Sequence, residues 1–203
     1  MGGHARIVTS VAAESNLDIL GLIDKDGDSI GEKIGDYEVV DVIDNLNTWL
    51  KRGVQKILLA VGNNRERKEL FLDLKTKEIE FPTLIHETAV ISRGCKIGAG
   101  SLVGPGVIIG ANVNIGVATI INSGSLIEHE SNLGDFASVA PGCNIAGRVK
   151  IGKTSFIGIG TTISDNISIG ENCIIGAGSV VIKNVPCESI AYGVPAKKQL
   201  KNI

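Results

Sequence analysis

Aromatic residues are nearly missing from this chain: four Phe, two Tyr and one Trp make up 3% of 203 residues. A wide core built around rings is therefore excluded, and any interior must be filled by aliphatic side chains. An excess of charge of one sign is missing too. Twenty Lys and Arg stand against 22 Asp and Glu, a formal charge of −2, which argues against a nucleic-acid surface or polybasic membrane binding as the main activity. No apolar run approaches the roughly 18 residues of a membrane span, and no basic-then-apolar signal peptide opens the chain. A soluble, cytosolic protein is the expectation. Cysteine is scarce, with only Cys95, Cys143, Cys173 and Cys187, and no disulfide framework is expected from them.

What the chain does have is 26 glycines and a strict period. Every sixth residue from Ile91 to Val181 is Ile, Val or Leu, sixteen in succession without a slip. The residue two places earlier is mostly small or β-branched, as in Ala89, Ser101, Thr119 and Cys143, and the residue after is often glycine, as in Gly98, Gly110 and Gly134. A period of six fits neither an amphipathic helix nor an alternating strand, so it marks a repeat architecture. Each hexapeptide supplies a short strand and a turn, its aliphatic residue faces inward, and three hexapeptides close one triangular coil. Each strand then pairs in parallel with the one eighteen residues away, so roughly five coils stack at about 4.8 Å into a prism. Cys95, Cys143 and Cys173 fall at the inward small position, where they act as small hydrophobes rather than nucleophiles.

Residues 1–82 lack the repeat. Residues 6–13 read as an apolar helix, 19–23 as a buried strand, 24–28 as a polar turn, 40–50 as a mixed segment ending in a helix, 56–61 as a second apolar strand and 64–76 as a charged helix. This alternation predicts a small α/β domain with a parallel sheet over 1–82, followed by the β-helix and its tail over 83–203. Gly2-Gly3-His4 before the first helix reads as the second half of a strand, glycine loop and helix unit, where loop amides and a helix N-terminus receive an anion. Its strand is missing from the sequence, with Met1 at the last position before the paired glycines. Either the true start lies upstream or the domain has lost its central strand; because such a loss would leave hydrophobic faces uncovered, a truncated reading frame is the expectation.

Of three histidines, only His129 lies inside the repeat, two places after an inward isoleucine, so alternation directs it outward. On pattern alone it is either a solvated surface residue or a catalytic base.

The repeat, together with Asn122-Ser123-Gly124-Ser125-Leu126-Ile127-Glu128-His129-Glu130, Gly62-Asn63-Asn64 with Arg67, and Gly193-Val194-Pro195-Ala196-Lys197, resembles the hexapeptide-repeat nucleotide-amino-sugar N-acetyltransferases. The resemblance implies a left-handed β-helix, although the general rule for parallel crossovers would predict the opposite hand. It implies acetyl-coenzyme A as co-substrate, no metal, and a UDP-4-amino-4,6-dideoxyhexose as acceptor. His129 would be the general base and Glu130 its orienting acid, with Glu128 as a second candidate. Gly2, Gly3, His4, Asp24, Gly62, Asn63, Asn64 and Arg67 would meet the nucleotide sugar. Lys25 stands where the family often has a second acid.

On the coenzyme side, Gly147, eighteen residues past His129, would offer its amide to the thioester oxygen. Ser138 stands where the family commonly has a second histidine touching the acetyl group. Ile159 and Ala177 would line the coenzyme groove, and Lys197 with Lys198 either meets its phosphates or forms a solvated tail. The family assembles as a homotrimer with sites between subunits. Competing readings are a sugar O-acetyltransferase of the sialic acid type and a non-catalytic scaffold. A zinc carbonic anhydrase on the same prism is excluded, because it would need three histidines from the coils.

Overall fold

The structure is a computed structural model, and it describes residues 2–15 and 17–199. Met1 and the end of the basic tail, residues 200–203, lie outside the described residues. Seventeen two-residue strands follow one another at intervals of six, from β4 (Leu84–Ile85) to β20 (Val180–Val181). Each pairs in parallel with the strand eighteen residues away, as in Ile120 with Ser138 and Leu126 with Asn144. Three flat faces result: the first runs β4, β7, β10, β13, β16 and β19, the second β5 to β20, and the third β6 to β18. The second residue of each strand points inward, so Ile109, Ile127, Ile145 and Ile163 stack in one column at 1% exposure or less. Serine and threonine at the small inward position bond upward to the next coil's carbonyl, as Ser125 Oγ does to Ala140 O at 3.0 Å. This meets the requirement that buried polar groups be paired.

The last coil is closed by a hairpin, β21 (Ile190–Gly193) with β22 (Ala196–Gln199), that adds to the first face. The Gly193–Ala196 segment is thus a turn, and Ala196 packs against the prism core.

The amino-terminal part lies on the first face. Helix α1 (Gly3–Ala13) buries Ala5, Val8, Thr9 and Ala12, the i, i+3, i+4 and i+7 stripe of an amphipathic helix, together with Val11. That stripe packs on Leu84, Leu102 and Ile120, the outward residues of the first three strands of that face. Its C-terminal end is tied down by Glu14, whose carboxylate accepts from His86 Nε2 at 2.9 Å.

The small sheet differs from expectation. It holds β1 (Leu22–Asp24), β2 (Lys33–Ile34) and β3 (Tyr37–Val42) in the order β1-β3-β2, with β1 parallel to β3 but β2 antiparallel to it. The sheet is mixed because a tight turn at Gly35 and Asp36 folds β2 back on β3 as a hairpin. Residues 56–61 are not a strand: they run extended with a single bridge, Lys56 to Glu80. Their apolar side chains are split between two clusters, Ile57 and Leu59 on one side and Leu58 and Ala60 on the other. Burial of both sides explains the apolar run without a ladder. Two further helices, α2 (Leu46–Lys51) and α3 (Asn64–Leu74), complete this part.

The inward column carries the prism. Ile145→Ala is expected to destabilise the protein by about 3 kcal/mol, the usual cost of emptying a closed aliphatic site. Chemical unfolding followed by circular dichroism will show this as a lower midpoint with unchanged native signal.

Candidate active site

His129 follows β11 (Leu126–Ile127) at the corner where the chain turns from the second face to the third. Because coils repeat every eighteen residues, Ala111 lies one coil below it and Gly147 one coil above. The imidazole stands against Gly147: a methyl group built there would lie 2.7 Å from both Cε1 and Nε2. Only glycine leaves room for the ring. The Gly147 carbonyl accepts from Asn166 N–H at 3.0 Å, whereas its own N–H donates to no partner among the described residues.

The opposite ring nitrogen faces an acid. His129 Nδ1 lies 3.2 Å from Glu130 Oε2, and Glu130 has φ 59°, which turns its side chain along the corner. Glu128 reaches only the backbone N–H of His129, at 3.4 Å. Of the two acids flanking the histidine, Glu130 is therefore the one at the ring. Arg148 Nη1 sits 3.6 Å from the same Glu130 oxygen. Sequence reading missed Arg148, although it stands eighteen residues past Glu130 and the coil arithmetic that selects Gly147 also selects it.

In the Gly62-Asn63-Asn64…Arg67 segment the polar side chains are engaged within the chain. Asn63 caps α3, its Oδ1 accepting from Arg65 N–H and Glu66 N–H at 3.0 and 3.1 Å. Asn64 Nδ2 donates to Thr154 O and Ser155 O in the coils. Arg67, 1% exposed, turns all its donors inward. Nε reaches Ala118 O, Nη1 reaches Val61 O and Gly62 O, and Nη2 reaches Asn64 Oδ1, Phe136 O and Ser138 Oγ, all within 3.0 Å. Burial pushes its pKa down to about 10, which still leaves it charged at neutral pH.

Asn64 and Arg67, expected to meet the sugar nucleotide, here have their side-chain donors engaged in clamping α3 to the prism. Ser138 belongs to the same clamp. Its hydroxyl donates to Asn64 Oδ1 at 2.6 Å on the first face, away from the His129 corner of the same chain.

The first loop is more open. Gly2 and Gly3 have nothing within 4 Å of where a Cβ would stand, and Gly2 precedes α1 with no side-chain cap. His4 packs behind them, its Cβ 3.2 Å from where a Cβ on Gly62 would be. His4 Nε2 is buried without a hydrogen-bond partner. Burial, reinforced by the Arg67 charge, pushes its pKa down to about 4. Asp24 ends β1. Its burial acts to raise the carboxyl, but hydrogen bonds from Ser29 and from Lys25 N–H hold it below the usual range. Lys25, at the position where a second acid was considered, pairs with Glu66 at 2.9 Å.

Ile159 and Ala177 are exposed and stacked one coil apart, at the corner between the first and second faces rather than at that of His129. Lys197 is exposed on β22.

A β-helix of hexapeptide coils bearing an outward histidine-carboxylate pair, with an α/β unit on one face, defines a hexapeptide-repeat acyltransferase. The PglD N-terminal domain family matches residues 1–74, and the bacterial transferase hexapeptide family (six repeats) matches residues 148–183. UDP-N-acetylbacillosamine N-acetyltransferase from Bacillus subtilis (strain 168) is 33% identical over 105 residues, 50% of this chain and 47% of that relative. The chain thus matches about half the length of this curated relative.

The crystal structure of a histidine-to-alanine variant of GDP-perosamine N-acetyltransferase from Caulobacter crescentus, with CoA and GDP-perosamine, superposes with a TM-score of 0.94. It is 30% identical over 98% of this chain and 94% of that one. The acetyltransferase domain of PglB from Neisseria gonorrhoeae, in complex with acetyl coenzyme A, superposes at 0.90 with 28% identity over 98% and 95% of the two chains. The chain belongs to the nucleotide-amino-sugar N-acetyltransferase family, and its coils form the left-handed β-helix expected of it.

Two outcomes follow. Gly147→Ala is expected to displace the imidazole while leaving the coils folded, lowering catalytic turnover by on the order of tenfold or more; acetyl-transfer assays beside thermal melts will separate the two effects. Because His4 titrates lower folded than unfolded, the unfolded chain binds more protons between those values. Stability is then complete above about pH 6.5 and lost as the pH falls towards 4, by at most about 3 kcal/mol. Unfolding midpoints against pH should lose this component in His4→Gln.

Proposed function

We propose that this protein transfers the acetyl group of acetyl-coenzyme A to the amine of a nucleotide-linked amino sugar, a UDP-4-amino-4,6-dideoxyhexose, with His129 as general base. The observation that carries this reading is the His129 corner, with Nδ1 on Glu130 at 3.2 Å and the Nε2 edge against Gly147, whose N–H is unused. Relatives of the same fold act on or bind nucleotide sugars and coenzyme A.

An ammonium cannot attack a thioester, and imidazoles titrate near neutral pH, so Nε2 takes a proton from the amine as nitrogen bonds to the acetyl carbon. Negative charge grows on the thioester oxygen, and the Gly147 N–H, unused by the coils, is the donor proposed to meet it. Collapse breaks the carbon–sulfur bond, and the imidazolium returns its proton to the leaving thiolate. Glu130 holds Nδ1–H and offsets the charge on the ring while it is protonated.

The acceptor handle would lie at Gly2, Gly3 and His4, where α1 begins and a buried ring nitrogen lacks a partner. These residues sit on the first face, and His129 stands at the corner opposite that face. Within one chain they do not meet, so the site would be completed by a second copy, as in a homotrimer. Ile159 and Ala177, at a different corner from His129, can line its groove only from such a copy. Exposed Val90 and Ile108 on the second face supply apolar surface for that contact.

Release of coenzyme A thiol from acetyl-coenzyme A, with UDP-4-amino-4,6-dideoxy-N-acetylglucosamine as acceptor and a GDP-linked 4-amino sugar for comparison, tests the reading. His129→Ala is expected to lower turnover by about 100-fold or more. Turnover indifferent to that change would sink the mechanism.

A further inference from the structure

The turn column beside His129 runs through Gly94, Asn112, Glu130, Arg148 and Asn166, all with φ between 57° and 79°. Glycine and asparagine adopt this left-handed conformation readily, but glutamate and arginine do not. At the corner between the third and first faces, Ala118 and Phe136 take it buried against the aromatic cluster of α3, while Thr154 and Glu188 take it there half-buried and exposed. Arg148 and Glu130 are not packed either, both side chains being 53% exposed, so it is their contacts that set them apart.

What they share is His129. The Arg148 N–H donates to His129 O at 2.9 Å, and its guanidinium lies 3.6 Å from the Glu130 oxygen that faces Nδ1. At that length the contact is an ion pair rather than a tight hydrogen bond.

We propose that Arg148 is a positioning residue for the base: from one coil above, it holds the Glu130 carboxylate against His129 Nδ1 and so keeps Nε2 the proton-free nitrogen. This deepens the acetyltransferase reading and rests on it for its catalytic meaning. A glutamate side chain on an exposed corner has three rotatable torsions, and one 3.2 Å contact to a ring does not restrain them. The carboxylate oxygen has two lone pairs, so it accepts the imidazole N–H and meets the guanidinium together. The tautomer of a histidine is set by the hydrogen bond its other nitrogen makes. With Nδ1–H fixed on Glu130, the lone pair stays on Nε2, the nitrogen beside Gly147, to receive the amine proton. Asp165, in the His129 column beyond Gly147, is engaged by Asn166 at 2.6 Å.

The test is nitrogen-15 NMR of histidine-labelled full-length protein at about pH 8.5, above the ordinary imidazole range, with the His129 signals identified by their loss in His129→Gln. Arg148→Asn keeps the turn, because asparagine already occupies 112 and 166 in the same column, while Arg148→Lys keeps the charge. The wild type should show predominantly Nδ1–H at His129. Arg148→Asn and Glu130→Gln should both lower that fraction, and Arg148→Lys should restore most of it. Turnover in Arg148→Asn should fall on the order of tenfold, a part of what a general base contributes.

An unchanged tautomer ratio in Arg148→Asn, or a changed ratio without loss of turnover, would overturn the proposal. A wild type that acetylates no amino sugar would count against the substrate reading instead, while the tautomer ratio would still decide what Arg148 does to His129.

Discussion

Parallel pairing of each residue with the one eighteen places on is the constraint from which the rest of this structure follows. It requires an aliphatic residue at every sixth position, because a single inward polar side chain would sit in a closed column with no water to bond. It also converts sequence distance into height. Residues 111, 129 and 147 become vertical neighbours although no local motif joins them, and the His129 corner is assembled by that arithmetic. Backbone amides at the corners are only partly used by the ladder, so the prism offers donors at many points. His129 stands beside one of them, that of Gly147.

The second constraint is the buried charge of Arg67. No carboxylate accompanies it among its partners, which are four backbone carbonyls, one amide oxygen and one hydroxyl. Taking a guanidinium out of water is costly unless its donors are all met, and here they are met only when α3, the 61–62 segment and the coils are in register together. The charge therefore specifies one docking geometry. Its field also reaches His4, reinforcing the burial that keeps that ring neutral. Junction and first loop are electrostatically one unit.

The coils were legible in the sequence because one rule, repeated sixteen times, leaves no competing period. The residues of the His129 corner were legible for the same reason, Glu130 and Gly147 included. The amino-terminal part was less so. Residues 56–61 have the composition of a parallel strand, yet that composition reports burial on two sides, and here two clusters supply it without a partner strand. The hairpin of β2 and β3 is too short for its alternation to stand out, with only Lys33 and Ile34 on one arm. The Gly62-Asn63-Asn64…Arg67 segment was read towards ligand binding only through the family resemblance. Its part in the junction is tertiary: the helix start is pressed against the prism, so the Asn64 amide finds coil carbonyls ninety residues away.

Ser138 shows why departures from a family pattern need the surrounding residues before they are interpreted. Judged by position alone, a serine where relatives carry histidine is a weakened contact to the acyl group. Judged by its neighbours, it is a small hydroxyl that both donates to Asn64 and accepts from Arg67, closing the network between the two parts of the chain. An imidazole there would have to share a site already filled by a guanidinium, and the two would compete for the same oxygen. The residue is matched to the junction, and within this chain the polar groups around His129 come from the corner itself: Glu130 at Nδ1 with Arg148 beyond it, and Gly147 beside Nε2. These residues all lie along a single edge of the prism, in two adjacent coils.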